Sequence, residues 1–495
     1  MLFNSLEFLI FLPIVFTAFW LSPKKYRWGI LLSASYCFYM WWNWKLVFLI
    51  LFTTIISYLC GFLVEKYNEK IKIKRIVLIL SLVLCFGVLL FFKYFPFLVS
   101  VYSDILKIFS GNGINGYFEV MLPVGISFYT FQTASYVIDC YKGKIKAEKH
   151  FGYYALFVIF FPQLVAGPIE RPEDLLPQLK LLSGGDLSIS KIDYSSAFRI
   201  MLIGFFKKIA IADVLGIYVN NVYQDISSAN GLMVLIASLL FAVQIYCDFS
   251  GYSDIAVGCA KLFGVNLTEN FNNPYGAKSI KEFWNRWHIS LSKWLRDYIY
   301  FPLGGSKVKK CRWIINIIIV FLVSGLWHGA NYTFIVWGLL HGIFQVIGVL
   351  TLKYRDNFWK KMKVNPEGKI ITFFRIVGTF LLVDFCWIFF RANNISDACI
   401  AVSKIFIDWK MNAEFFKNSF VNLGINWKLV IYIVVCIASL FVVEKLKYVS
   451  IQPSKIFNKF SIRYVSYFVM SMLVICAWIY LQASDVGSSF IYFQF

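Results

Sequence analysis

Charged residues are scarce in this chain: they make up 15% of its 495 residues, whereas soluble domains carry about a quarter. Hydrophobic residues account for 59%, which argues against a soluble globular protein. Long uncharged runs recur, at Leu46–Val64, Ile76–Phe92, Trp313–Trp327 and Tyr464–Ser484. Because about 20 apolar residues cross a bilayer as a helix, the sequence predicts an all-α, polytopic membrane protein with about 11 to 13 buried helices, some too short to cross alone.

Acidic residues are also few, with 27 Asp and Glu against 48 Lys and Arg, a net charge of +21. The basic residues lie between the apolar runs, as expected for cytoplasmic loops of a membrane protein, so we exclude nucleic acid as a partner. The same charge pattern predicts that the N-terminus and the segment Asp485–Phe495 both lie outside. Phe8–Leu21 is expected to be a retained membrane helix, because no basic start or small-residue cleavage site accompanies it.

The eleven cysteines form no CxxC pair, so neither a zinc site nor a disulfide framework is expected. No internal repeat and no detachable soluble domain is evident. We therefore expect one membrane domain over residues 1–495, with a catalytic core at 118–352 and a C-terminal tail at 484–495.

Histidine occurs only four times, and His328 lies at the end of an apolar run, in the sequence Ser324–Asn331. An ionisable side chain in a membrane segment suggests function, and imidazole can take and give a proton near neutral pH. Trp313–Trp327 would form a helix of about 22 Å, shorter than the ~30 Å hydrocarbon core, so a break beside His328 should lie inside the membrane, where it is either buried in protein or lines a cavity. The alternative is a structural histidine within a helix bundle.

A second histidine, His288, falls in a stretch whose apolar residues recur at helical spacing, which predicts one amphipathic helix over Lys278–Tyr300. Such a helix would lie at the cytoplasmic membrane interface, with His288 at the edge of its apolar stripe. His288 could then be an ordinary polar-face residue. We interpret His341, thirteen residues after His328, as structural, and His150 as a solvated residue in a lysine-rich loop.

Two carboxylates, Asp248 and Asp254, interrupt another apolar region. They are expected to line a polar cavity or to pair with a buried Arg or Lys. Because they are six residues apart, they do not share a helical face closely and are not expected to act as a catalytic pair. Asn331, three residues after His328, is a candidate helper.

These motifs together resemble the membrane-bound O-acyltransferases. The resemblance rests on Arg286–His288, on Leu326–Gly329 at the end of a long apolar run, and on the segments Met121–Phe128, Gly167–Ile169, Asp248–Asp254 and Asn270–Tyr275. These last four segments are similar to segments of the family's bacterial branch, whose members modify alginate, peptidoglycan or teichoic acid. The resemblance implies that His328 is the catalytic base and that His288 is a second active-site residue, which orients a substrate or stabilises the oxyanion. Trp327, Arg286, Asp248, Asp254 and Asn331 are candidate substrate-binding residues.

The resemblance further implies a bacterial cell-membrane enzyme with a central pore through which an acyl group, expected to be acetyl, passes from cytoplasmic acetyl-CoA. The final acceptor would be an extracellular or cell-wall polysaccharide, reached through an extracytoplasmic SGNH-type transferase partner. Thioester chemistry requires no metal and no bound cofactor. The alternatives are D-alanyl transfer to teichoic acid, a polysaccharide or proton-coupled transporter, and a scaffold that recruits a soluble transferase.

The chain ends in the aromatic stretch Phe490–Phe495. Such residues favour the membrane interface, so the stretch could be an anchor. It also resembles the ending of the small partner peptide of teichoic acid D-alanylation, which implies that Tyr492 carries the acyl group.

Overall fold

The structure is a computed structural model that describes residues 1–110, 122–184, 187–363, 365–410, 412–449, 460–483 and 491. Within these ranges the chain forms twenty-one α-helices and no β-strand. The helices are α1 Leu6–Leu21, α2 Arg27–Met40, α3 Val47–Lys66, α4 Ile71–Leu89, α5 Phe95–Ser110, α6 Ile126–Tyr141, α7 Phe151–Ile159, α8 Pro172–Gly184, α9 Tyr194–Phe205, α10 Val214–Gln224, α11 Gly231–Leu262, α12 Ile280–Arg286, α13 Ile289–Leu295, α14 Lys310–His328, α15 Tyr332–Leu350, α16 Leu352–Lys361, α17 Lys369–Arg391, α18 Ile395–Ile407, α19 Ala413–Asn422, α20 Trp427–Val449 and α21 Phe460–Ala483.

Wider π-helical turns extend three of these helices, α4, α9 and α13, at Leu90–Tyr94, Phe206–Asp213 and Arg296–Tyr300. Turns of this kind are rare in proteins, and those that occur often lie at functional sites. Short 3₁₀ turns lie at Lys24–Tyr26, Trp44–Leu46, Ile189–Lys191 and Pro274–Gly276.

Eight helical stretches in the described part of the chain are long and apolar enough to cross a membrane. They are Trp44–Lys66, Ile71–Ser110, Gly231–Leu262, Lys310–His328, Tyr332–Leu350, Lys369–Arg391, Trp427–Glu444 and Tyr464–Ala483. A shorter apolar helix is Leu6–Leu21. The all-α, polytopic architecture predicted from the apolar runs is confirmed.

Residue contacts divide the chain into two compact units, residues 1–201 with 253–268 and residues 202–252 with 269–495. In the first unit, polar side chains join segments that are far apart in sequence. The hydroxyl of Tyr154 donates to Ser57 Oγ at 2.6 Å. The buried carboxylate of Glu170 accepts from the backbone N–H of Thr268 at 2.6 Å and from its hydroxyl at 3.1 Å.

The second unit contains both histidines and is organised around the hairpin of α14 and α15. The two helices approach closely at Gly325 and Gly338, whose Cα atoms face each other. A Cβ at Gly325 would overlap the carbonyl oxygen of Phe334 and lie 3.4 Å from the Cα of Gly338. Glycine is required here because the partner backbone occupies the space of a side chain.

Helix α14 ends at His328, and Asn331 then caps α15, so the predicted break beside His328 is confirmed. The predicted length of the helix was wrong, however. It starts at Lys310 rather than Trp313 and has 19 residues, about 28 Å at 1.5 Å per residue, close to the ~30 Å hydrocarbon core. Because Lys and Arg side chains can reach outward to the interface, a basic first turn can belong to a membrane helix.

The continuous amphipathic helix predicted over Lys278–Tyr300 is not continuous. It is divided into α12 and α13 at Trp287 and His288, and His288 adopts a left-handed backbone, with φ 42° and ψ 56°. A nearby loop satisfies the freed backbone groups. Asn270 accepts from the N–H of Ile289 at 3.0 Å through its carbonyl, and from the N–H of Ser290 at 3.1 Å through its side chain.

The amphipathic pattern itself is correct, since Lys281, Asn285, Lys293 and Arg296 are exposed. Apart from Ile289, which is half-buried, the apolar residues of α12 and α13 are buried in the protein, and so is His288. His288 therefore belongs to the interior of the second unit and not to the edge of a surface stripe.

Candidate active site

The two histidines singled out in the sequence lie side by side in the second unit. The ring centroids of His288 and His328 are 6.5 Å apart, with the planes at 62°. His328 comes from the last turn of α14, and His288 from the break between α12 and α13. Both side chains are thus held where a helix ends, and their backbones are fixed by helix packing on either side.

Aromatic rings enclose this pair. Phe249 of α11 contacts His288 at 4.6 Å between centroids, and Trp327 lies 5.6 Å from His288 and 4.9 Å from His328. Trp337 and Phe390 cover His328 at 5.0 and 5.3 Å. His288 is 0% exposed and His328 is 3% exposed. The expected pore remains a prediction.

Burial also determines the protonation state of His288. Desolvation lowers the pKa of His288 from 6.5 to about 3, because the charged imidazolium loses its hydration. The ring is therefore neutral at physiological pH. A neutral imidazole can accept a proton or donate a hydrogen bond, and both are needed in acyl transfer.

His341 of α15 is closer to the site than its sequence spacing suggested. Its Nδ1 accepts a hydrogen bond from the indole N–H of Trp284 at 3.3 Å. Its ring lies 4.9 Å from Trp337, which in turn contacts His328. These contacts give His341 a packing role, which is consistent with its interpretation as a structural residue. Together with Phe249, Trp327, Trp337 and Phe390, His341 forms the aromatic shell around the two histidines.

The remaining candidates near the histidines are placed differently from one another. Trp327 contacts both imidazoles directly. The guanidinium of Arg286 pairs with Glu282 at 2.6 Å and donates to the carbonyl of Asn273 at 3.1 Å. The side-chain oxygen of Asn331 caps α15, and its amide nitrogen donates to the carbonyl of Asn393 at 2.9 Å. Asn331 therefore fixes the backbone beside His328.

Asp248 forms an ion pair with a buried lysine, one of the two arrangements expected for it. Its Oδ1 lies 2.6 Å from Lys208 Nζ, and both side chains are at least 95% buried. Lys208 also pairs with Asp213 at 2.7 Å. Asp254 is buried in the first unit. Tyr492 lies outside the described residues, whereas Ile491, immediately before it, is described.

Sequence reasoning missed the buried lysines and most of the aromatic shell. Lys207 and Lys208 stand in an otherwise apolar run, which was a usable signal for buried ion pairs. Lys207 pairs with Glu444 at 2.9 Å. Phe390 of α17 and Trp337 of α15 carried no comparable signal, because aromatic residues are spread throughout this chain.

The chain is similar in sequence to known proteins. The sequence model of the membrane-bound O-acyltransferase family matches residues 29–387, a range that includes both histidines. The chain is 36% identical to the probable alginate O-acetylase of Azotobacter vinelandii over 442 residues, covering 88% of this chain and 84% of that protein. It is 35% identical to the peptidoglycan O-acetyltransferase of Helicobacter pylori, covering 80% and 78%.

A third relative is more distant. The teichoic acid D-alanyltransferase of Bacillus subtilis is 29% identical over 54% of this chain and 69% of that protein. The family match and the apolar helices together make this a multi-pass membrane protein. The chain belongs to the membrane-bound O-acyltransferase family.

Proposed function

We propose that this chain moves an acetyl group from cytoplasmic acetyl-CoA across the membrane for O-acetylation of an extracellular or cell-wall polysaccharide. The names of the two more similar relatives, an alginate O-acetylase and a peptidoglycan O-acetyltransferase, support a polysaccharide as the final acceptor. The observation that carries the proposal is the enclosed pair of His288 and His328, within the family-matched region.

The chemistry uses His328 as a general base. An acceptor hydroxyl loses its proton to the neutral imidazole as its oxygen attacks the thioester carbonyl. The carbon–sulfur bond then breaks, and the imidazolium returns the proton to the leaving thiolate, which departs as the free thiol of CoA. His288 stabilises the oxyanion or orients the substrate, and Trp327 forms a wall of the site, since it contacts both rings.

Tyr492 is the proposed first acceptor, with an SGNH-type partner outside the membrane completing transfer to the polysaccharide. Ile491, the residue before it, donates its backbone N–H to Asp248 at 2.8 Å, and the next residue of α11, Phe249, contacts His288. This arrangement supports Tyr492 as the acceptor, because the residue before it binds next to a residue that contacts His288. The protein acts in the bacterial cytoplasmic membrane with both termini outside.

The first test is His328→Ala, compared with wild type in a strain that lacks the native gene. Ester-linked acetate released from purified polysaccharide by mild alkali should fall at least 100-fold, since a general base contributes about 10²–10⁴-fold. His150→Asn is the matched control. His150 is exposed and caps α7, and asparagine is a good capping residue, so acetylation should be unchanged. Near-normal acetylation by a membrane-integrated His328→Ala protein would refute the proposal.

The second test is Tyr492→Phe, which removes only the hydroxyl. It should block transfer to polysaccharide while the protein accumulates normally in the membrane. Wild-type levels of acetate would leave the histidine chemistry intact and assign the acceptor role to the partner or the glycan. Mass analysis of the acid released by mild alkali, acetate or D-alanine, separates acetyl from D-alanyl transfer.

A further inference from the structure

A buried ion-pair network occupies the π-helical turn Phe206–Asp213 and the middle of α11. Lys208 lies between Asp213 and Asp248, at 2.7 and 2.6 Å. Its neighbour Lys207 pairs with Glu444 at 2.9 Å. Glu444 also accepts a hydrogen bond from Tyr246 at 2.6 Å. Removing charges from water this completely costs free energy, which only close pairing of the kind seen here offsets.

The backbone is shaped to bring these charges together. Gly251 lets α11 approach the π-helical turn, since a Cβ at this position would lie 2.8 Å from the carbonyl oxygen of Gly204 and 3.0 Å from the amide nitrogen of Lys208. Asp248, three residues earlier on α11, then reaches the Lys208 ammonium. The same close approach therefore fixes the position of the Asp248 carboxylate.

The carboxylate of Asp248 has two partners from distant parts of the chain. Oδ1 faces Lys208, and Oδ2 accepts the backbone N–H of Ile491 at 2.8 Å across 243 positions of sequence. Ile491 as a whole residue is 3% exposed, so it is buried in the protein. Phe249, next to Asp248, contacts His288 at 4.6 Å.

We propose that the Asp248–Lys208 pair is a docking site for the protein's own C-terminal segment, which it holds by the backbone amide of Ile491. The two residues are positioning residues: Lys208 orients the carboxylate, and the carboxylate holds the amide. Because consecutive Cα atoms are about 3.8 Å apart, holding residue 491 restricts where residue 492 can go. Binding of the Ile491 amide by Asp248 does not depend on the proposed acetyl transfer. An effect of this binding on the rate of transfer does rest on the proposed function.

The direct test is hydrogen–deuterium exchange of full-length protein in lipid nanodiscs, with fragmentation to resolve the Ile491 amide. In the wild type this amide should exchange slowly. In Asp248→Asn the neutral amide is a weaker acceptor, and exchange should accelerate roughly 10- to 100-fold, the range expected for losing a hydrogen bond to a charged group. Unchanged exchange in Asp248→Asn would overturn the docking site. Thermal unfolding measured in parallel identifies any global loss of structure.

A second pair of variants tests the amide without touching the network. Ile491→Pro removes the N–H, and Ile491→Ala keeps it while shortening the side chain. If the docked amide positions the segment for transfer, polysaccharide acetylation should fall about 10-fold in Ile491→Pro, with Ile491→Ala several-fold less affected. Equal activity of the two variants would refute the positioning role.

The two arms separate this inference from the proposed function. If the wild-type protein transfers no acetyl group but Asp248→Asn accelerates exchange of the Ile491 amide, the docking site is supported and the proposed function is refuted. If the wild-type protein acetylates polysaccharide but exchange of the Ile491 amide is the same in Asp248→Asn, the function is supported and the docking site is refuted.

Discussion

Gly325→Ala tests whether the precise packing of α14 on α15 holds His328 in place. The added Cβ would overlap the carbonyl oxygen of Phe334 and lie 3.1 Å from its carbonyl carbon, and both atoms belong to backbone that cannot rotate away. Since carbon atoms pack best at about 3.5–4.0 Å, α14 must shift on the order of 1 Å. His328 lies three residues farther along the same helix and must move with it.

A displacement of about 1 Å at a catalytic group can lower turnover about 10²-fold, and overpacking costs about 1–3 kcal/mol of stability. We therefore expect Gly325→Ala to insert into the membrane, to unfold at a lower temperature, and to lose about 10²-fold in acetyl transfer to polysaccharide. The assay compares ester-linked acetate per unit of membrane protein with the midpoint of thermal unfolding.

Gly348→Ala is the matched control, because it lies on α15 and a Cβ there would meet nothing within 4 Å. Its activity and thermal stability should equal or exceed those of wild type, since alanine is the better helix former. The reasoning fails if Gly325→Ala retains full activity, or if Gly348→Ala loses as much.

Individual contacts give three further predictions. Because burial lowers the pKa of His288 to about 3, the unfolded chain takes up a proton there between pH 6.5 and 3 that the folded chain does not. The neutral His288 ring therefore costs no stability above pH 6.5, and the folded protein loses stability as the pH falls from 6.5 toward 3. His288→Gln should thus make the midpoint of thermal unfolding less sensitive to pH between 6.5 and 3. Trp284→Phe removes the donor to His341 and should cost about 1–3 kcal/mol of stability, with transfer reduced less than 10-fold if His341 only packs. Lys208→Met leaves two carboxylates without their buried cation and should destabilise by about 3–5 kcal/mol, whereas Lys107→Met, at an exposed pair, should change stability by less than about 1 kcal/mol.

The sequence predicted the features that depend on local patterns. The apolar run ending at His328, followed by Gly329, Ala330 and Asn331, marked the break between α14 and α15, because a long apolar run requires a membrane or a core. The capping role of Asn331 was not predicted. The length of α14 was underestimated because only apolar residues were counted. Its first turn contains Lys310 and Arg312, which long side chains allow at a membrane boundary.

The break at His288 could not be predicted from local sequence. No proline or glycine interrupts the helical spacing from Ile280 to Leu295. The break exists because Asn270, from another part of the chain, supplies acceptors for the N–H groups of Ile289 and Ser290. The pairing of Asp248 with Lys208 was open for the same reason: residues forty positions apart meet only through helix packing.

The left-handed backbone of His288 has a consequence for any mutational study of this residue. Position 288 has two requirements at once, a rare main-chain geometry and an imidazole, and a single substitution can disturb both. Alanine disfavours this geometry, at a cost of about 1–3 kcal/mol, whereas asparagine adopts it readily. Comparing the two variants therefore measures the conformational cost separately from the chemical one: whatever activity is still missing in His288→Asn belongs to the ring.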